Sequence, residues 1–540
     1  MDDAAGRFSC SLVSVETMNL FAFTRILLAC ILVATLGACG SLPEQRARAP
    51  EKVGAADPTT VLAKVAQAST PPGEHSGFRL MPLGVYSFDA RIQLAQRAQR
   101  SLVLQYYQIE NDEVGRLLLQ TVREAALRGV QVRVLVDDLY TVNSQQLLLA
   151  LSKTPNISVR LFNPFCCGRD GFLTRFAASP LDVARLNHRM HNKLFIADGV
   201  MAIVGGRNIA NEYFVLSETQ NFIDMDVLIV GKVVPQLETI FYAYWNSIQV
   251  WPVAAIVSAK GDRPVVEADF DVAVRRARPL PKLMFPTSDI LGYGPIKEEL
   301  DEGRLGLLWG HAVAIADPPS KPATMTAQEA IATSVTMTVW EMMRDAKREI
   351  DLSSPYLVPG DRGVMAIRAM TDRNVKVTLM TNSLAANDEP LVHTGYARYR
   401  ERLLRSGVEL YELSPKRTTA DMRFDDFGKS LGRLHAKTLA IDGTRIYLGS
   451  MNLDPRSATQ NTEMGVVVDS PELARELLRI FNVSKLQNSY RVRFAEDGVT
   501  LRWSTRDGQK EVDYSSEPEA SLTQKLYYWL MSPLMPESLL

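Results

Sequence analysis

Apolar positions along the chain fall into two successive runs of the same order. Phe88, Ile92, Leu94, Ala95 and Ala98 have helical spacing over residues 88–100, and an apolar strand pattern follows at 101–107. A second helical stripe (Val114, Leu117, Leu118, Val122, Ala125) covers about 112–128 and stops at Arg128-Gly129. The strand pattern 130–136 comes next and ends at Asp137-Asp138. This strand–helix–strand order predicts parallel pairing through a crossover helix. From residue 335 the plan repeats: helix 335–348, strand 349–354, helix 361–372, strand 374–380. Arg373-Asn-Val-Lys-Val-Thr-Leu aligns with Arg128-Gly-Val-Gln-Val-Arg-Val, and Ala346-Lys-Arg-Glu-Ile-Asp-Leu with Ala98-Gln-Arg-Ser-Leu-Val-Leu. The chain is an internal duplication.

The remaining stretches set boundaries. One half is expected over 78–250 and the other over 286–490. Between them lies a Pro-rich, charged connection at 251–285, and residues 315–330 read as an exposed loop. Residues 491–540 form an extension with strand-like pieces and an aromatic, apolar tail at 525–531. That tail suits either a membrane interface or packing on the body. Near the start, 26–38 is an apolar run behind Arg25, too short for a span of about 20 residues and of signal-core length. It ends in Leu36-Gly37-Ala38-Cys39, which resembles the lipobox of bacterial lipoproteins, with Cys39 the lipidated residue. Residues 1–39 are thus expected to be a signal peptide, with Met18 a more usual start than Met1. Residues 40–77 are expected to be a flexible tether. Gly40 in place of Asp favours the outer membrane over the inner, so the expectation is a lipid-anchored, periplasm-facing protein of the bacterial cell envelope.

At 540 residues, with 46% hydrophobic and 22% charged residues, the chain has room for two or three ordinary globular domains. A formal net charge of −1 argues against a protein built to hold nucleic acid. Cys166 and Cys167 are adjacent and read as two thiols, because neighbouring cysteines bridge only with strain. No metal-ligand spacing stands out, and neither a metal nor a cofactor is expected.

The chemistry lies in a frame that occurs once in each half. His191-x-Lys193, four residues, Asp198, six residues, Gly205-Gly206-x-Asn208 returns as His435-x-Lys437, Asp442, Gly449-Ser450-x-Asn452 with every spacing kept. In each, an apolar strand follows the Lys, Asp-Gly signals a hairpin, and a second strand leads to the Asn. One frame brings an imidazole, an ammonium and an amide together. Two frames facing each other suit a phosphodiester. Lys193, Lys437, Asn208 and Asn452 would bind the phosphate oxygens. One His would attack phosphorus to form a phosphohistidine, and the other would act as acid and then base. Asp198 and Asp442 complete the frame and are counted with its catalytic set, although their place beyond the strand suggests work in the turn. Asp224 and Glu463 follow the two frames and are candidates to orient an imidazole, with Asp226 competing for the role of Asp224.

The paired frame resembles the phospholipase D superfamily over about 78–490. Leu161-Phe-Asn-Pro-Phe165, Arg189-Met-His-Asn-Lys193, Tyr244-Trp-Asn-Ser247, Gly395-Tyr-Ala-Arg-Tyr399 and Asn452-Leu-Asp-Pro-Arg-Ser457 are similar to bacterial cardiolipin synthase C-type phosphatidyltransferases. The resemblance implies two duplicated α/β half-domains, with mixed, largely parallel sheets, around a pseudo-twofold active site. It implies His191 as nucleophile and His435 as acid/base. The implied reaction transfers a phosphatidyl group to phosphatidylglycerol at a membrane, with phosphatidylglycerol or phosphatidylethanolamine as donor. Hydrolysis of phospholipids to phosphatidic acid is the alternative, and a non-catalytic scaffolding lipoprotein a remote one.

Overall fold

The computed structural model describes residues 41–45, 48–73, 75–180, 182–258, 268–275, 286–321, 326–420, 425 and 427–532; Cys39 and the signal segment lie outside them. In the first half, strands Ser101–Tyr106, Gln131–Asp137 and Ile157–Phe162 pair in parallel. Helix Glu113–Leu127 joins the first two. Its first turn is capped by Asp112, whose carboxylate accepts from Gly115 N at 2.9 Å, and its apolar stripe, including Val114, Leu118 and Val122, is buried. Hairpin Leu194–Ala197 and Met201–Gly205 packs antiparallel against Ser101–Tyr106. Its turn, Asp198-Gly199, has φ of 51° and 68°, the doubly positive geometry that Asp-Gly favours. Strands Asp226–Gly231 and Ser76–Met81 complete that side.

The second half repeats this order. Glu349–Ser353, Lys376–Asn382 and Glu409–Leu413 are parallel. Hairpin Thr438–Ile441 and Arg445–Gly449 turns at Asp442-Gly443, and Met464–Asp469 and Leu308–Ala316 follow. The two sheets join where Ser76–Met81 pairs antiparallel with Leu308–Ala316, giving one 18-stranded mixed sheet. The expected mixed α/β halves are there, but within the large sheet, among the described residues, parallel pairing is confined to three strands of each half. Each frame is itself an antiparallel hairpin, so antiparallel pairs outnumber parallel ones.

Other departures have local causes. Residues up to 316 belong to a strand, not to the exposed loop expected from 315; Gly310, Ala312, Ala314 and Ala316 gave it little hydrophobic contrast. Much of the expected tether is docked. Helix Val61–Ser69 buries Leu62 and Val65 in the first core, and the Glu51 carboxylate takes Arg133, Arg160 and the Trp245 indole N–H. The extension adds strands Ser489–Phe494, Leu501–Asp507 and Lys510–Tyr514 to the second sheet. Helix Leu522–Met531 then packs Tyr528 against His393, ring centroids 5.4 Å apart, and leaves Leu522, Leu526, Trp529 and Leu530 exposed. No helix among the described residues is long and apolar enough to cross a membrane.

A small two-stranded sheet ties the halves together. Gln220–Ile223, just before Asp224, pairs in parallel with Leu431–Leu434, just before His435. The pseudo-equivalent contact is a parallel bridge between Met190 and Thr462, which places His191 beside Glu463.

Candidate active site

The two frames meet, and they exchange their carboxylates. His191 Nδ1 lies 2.9 Å from Glu463 Oε2 of the other half and 3.0 Å from the Ser450 carbonyl. His435 Nδ1 lies 2.6 Å from Asp224 Oδ2, again across the halves. In each case a protonated Nδ1 donates to the carboxylate, which fixes the tautomer with the lone pair on Nε2. Backbone pairing sets this registration: His191 N donates to Thr462 O at 2.9 Å, and His435 N to Ile223 O at 2.7 Å.

The lysines fold back alike, Lys193 Nζ on the His191 carbonyl at 2.7 Å and Lys437 Nζ on that of His435 at 2.6 Å. Lys437 Nζ also lies 3.1 Å from each ring nitrogen of His435, whereas Lys193 faces the Tyr107 ring at 5.2 Å. Asn208 donates its amide to the Tyr213 hydroxyl at 2.8 Å, and that ring stands edge-on to His435 at 5.1 Å. Tyr107 stands edge-on to His191 at 5.0 Å. Asn452 donates its backbone N–H to the Ser457 hydroxyl at 3.2 Å, and its side chain makes no hydrogen bond among the described residues. Neither tyrosine gave a signal in the sequence. Ser450 and Ser457 stood inside quoted motifs without a role, and both donate to Glu463, at 2.5 and 2.8 Å.

Asp198 and Asp442 are not at this point. Each sits at the hairpin turn and accepts three backbone N–H groups from the start of the neighbouring strand: Gln99, Arg100 and Ser101 for one, Lys347, Arg348 and Glu349 for the other. Counting them with the catalytic set is corrected accordingly: they hold the hairpin to the sheet. Asp226 likewise leaves the orienting role to Asp224, since its carboxylate takes Arg91 at 2.9 Å and Ser87 at 2.5 Å.

Residues 91–245 and 339–484 each match the family model described as cardiolipin synthase, phospholipase D-like domain. Cardiolipin synthase C of Escherichia coli (strain K12) is 37% identical over 460 residues, which is 84% of this chain and 94% of that protein. The chain belongs to the phospholipase D-like cardiolipin synthase family. Cardiolipin synthase of Staphylococcus aureus (strain N315) is 26% identical over 401 residues, 74% of this chain and 65% of that protein. The crystal structure of phosphatidylserine synthase from Haemophilus influenzae Rd KW20 has the same fold, with a TM-score of 0.54 at 13% identity over 86% of this chain and 95% of that one.

Burial dominates the electrostatics of this phospholipase D-like site. It pushes the His191 imidazole down to about 4, with Glu463 opposing and Lys193 assisting. It pushes His435 down to about 3, with Lys437 assisting and Asp224 opposing. Burial thus favours the neutral form of both rings in the free protein. Burial also pushes Lys193 well below its ordinary value and Lys437 down to about 8. Burial would raise the Asp224 carboxyl, but His435 and Lys437 outweigh it and bring the group to about 2; Glu463 is lowered in the same way by His191, Lys193 and Ser450. A phosphodiester entering with one negative charge would oppose the fall of every basic group here.

Proposed function

We propose that the protein is a membrane-associated phosphatidyltransferase that makes cardiolipin through a phosphohistidine. The observation that carries this reading is the pair of tautomer-fixed imidazoles with two buried lysines, in a chain 37% identical to a cardiolipin synthase C over most of its length. His191 is assigned as nucleophile. Its Nε2 has no protein partner among the described residues, whereas His435 carries Lys437 against its ring.

In the first step His191 Nε2 attacks the donor phosphorus. The P–N bond forms and the bond to the head-group oxygen breaks. Protonated His435 gives its proton to that oxygen, and the anionic diester favours this protonated form. In the second step the now neutral His435 takes the proton of an acceptor hydroxyl. The alkoxide oxygen attacks phosphorus, the P–O bond forms and the P–N bond to His191 breaks. Lys193, Lys437, Asn208 and Asn452 are assigned to the non-bridging oxygens, where charge builds. The acceptor is phosphatidylglycerol, and the donor phosphatidylglycerol or phosphatidylethanolamine. Lipidation at Cys39 would hold the site facing the periplasm on a membrane of the cell envelope, the outer one favoured.

The test is product analysis in vesicles of phosphatidylglycerol, with and without phosphatidylethanolamine, using the protein and His191→Ala. Cardiolipin that depends on His191 is the expected result. Phosphatidic acid without cardiolipin would make the protein a hydrolase, and no product would remove the transferase reading.

A further inference from the structure

The duplication exposes one charge that the first half ties down and the second does not. Arg189 lies two residues before His191 and is buried against Asp137, the last residue of its strand, Nε to Oδ1 at 2.9 Å. Asp137 also accepts Met190 N at 2.8 Å. Arg433 holds the same place before His435. The counterpart of Asp137, at the end of Lys376–Asn382, is Asn382. It keeps the backbone contact, accepting Leu434 N at 2.9 Å, but supplies no charge. The Arg433 side chain has no hydrogen bond or ion pair among the described residues, and its buried Nε has no partner.

This guanidinium lines a cavity of about 510 Å³ together with Gln220, Asn387, Asp388, Tyr527 and Tyr528. Tyr356 donates its hydroxyl to Asp388 Oδ2 at 2.9 Å, while Oδ1, shielded from solvent, has no partner. Asp388 acts through space on Arg433 and on Lys437, which connects the cavity to the His435 side of the site. The far wall is the helix Leu522–Met531. Its exposed Leu522, Leu526 and Leu530 recur every four residues and form one apolar stripe along the helix, next to the lining residues Thr523 and Tyr527.

Arg433 lies in strand Leu431–Leu434, two residues before His435, which follows directly on the strand end. Under the transfer reading above, His435 serves both the leaving alcohol and the incoming one. The two differ in one respect. A cleaved head-group alcohol carries no phosphate of its own, whereas an acceptor phosphatidylglycerol keeps one, three carbons from its attacking hydroxyl. We infer that Arg433 binds the phosphate of the acceptor lipid, with Asp388 Oδ1 accepting a hydroxyl of its glycerol head group and the apolar stripe of Leu522–Met531 receiving its acyl chains. This cavity then selects a lipid alcohol over water or a small alcohol. A lost charge-assisted contact is felt only by acceptors that carry a phosphate.

The test compares two acceptors for the full-length protein in phosphatidylglycerol vesicles: phosphatidylglycerol itself, read as cardiolipin, and labelled free glycerol, read as label exchanged into phosphatidylglycerol. For Arg433→Gln the ratio of cardiolipin formation to glycerol exchange falls about tenfold or more, and Arg433→Lys recovers part of it. A proportionate fall in both reactions, or no change in either, overturns the inference. A second arm needs no turnover: His191→Ala protein is titrated with short-chain phosphatidylglycerol, and adding Arg433→Gln weakens binding several-fold. Equal binding overturns the inference. Wild-type protein that transfers to neither acceptor would refute the transferase reading, and the binding arm would still decide the role of Arg433.

Discussion

The half-site around His191 and the half-site around His435 share a frame but are held differently. Glu463 is long and supported: it accepts from His191 and from the hydroxyls of Ser450 and Ser457, and the Ser450 carbonyl is a second acceptor for His191 Nδ1. Asp224 is short and takes His435 and its neighbour Met225 N. Where the second frame has Ser450, the first has Gly206, and a Cβ there would lie 2.2 Å from Asp224 Oδ1. The pairs Glu463–Ser450 and Asp224–Gly206 are therefore alternative fillings of one space. The first holds an imidazole with redundant acceptors, as suits a nucleophile that must keep one tautomer. The second leaves orientation to a single carboxylate, beside a lysine that touches the ring, as suits a group that gains and loses a proton. Duplication supplied the frame, and small changes around it divided the labour.

The sharpest way to break this comparison is to neutralise each carboxylate. Asp224→Asn should lower kcat on the order of 10²-fold, because His435 Nδ1 has no second acceptor among the described residues. Glu463→Gln should cost less, about tenfold, because the Ser450 carbonyl still receives Nδ1–H. Steady-state kinetics on both variants checks this, and the reverse order would contradict the asymmetry. Next come the space-filling residues. Gly206→Ala should displace Asp224 and cost about tenfold in kcat, whereas Ser450→Ala removes one hydrogen bond and should cost about 1 kcal/mol of stability with a few-fold loss of rate. Kinetics with thermal melting separates the two.

The pH profile gives a smaller effect. Lys437 is cationic below about 8 and loses its charge above it, so kcat/KM should fall as pH rises through 8. Lys437→Arg should move that limb upward by a unit or more. The smallest effect on rate is expected at the turns. Asp198→Ala and Asp442→Ala each strand three backbone N–H groups and should cost about 2 kcal/mol of stability, read by denaturant unfolding, with kcat kept within a few-fold. Asp198 is the more deeply buried and should cost more.

Much of this was legible in the sequence because it depends on local order. The duplicated strand–helix–strand pattern, the hairpins at Asp198-Gly199 and Asp442-Gly443, and the paired His and Lys follow from spacing alone. The exchange of Asp224 and Glu463 between halves was not, since it rests on the pairing of Gln220–Ile223 with Leu431–Leu434, strands 211 residues apart in register. Helix Val61–Ser69 was hidden by the polar, Pro-rich chain before it, and Leu308–Ala316 by its run of Gly and Ala. In the sequence Arg433 reads like any other surface cation; only the fold sets Asn382 where the first half has Asp137.

The central claim is that His191 forms the covalent intermediate and His435 handles the proton. The most direct measurement is peptide mapping by mass spectrometry after quenching His435→Ala protein with a phosphodiester whose leaving group needs no acid, a p-nitrophenyl ester. The account predicts a phosphoryl-linked adduct on His191, accumulating because the base for the second step is gone, and no adduct in His191→Ala. An adduct on His435 in His191→Ala protein, with none on His191 in His435→Ala protein, would contradict it.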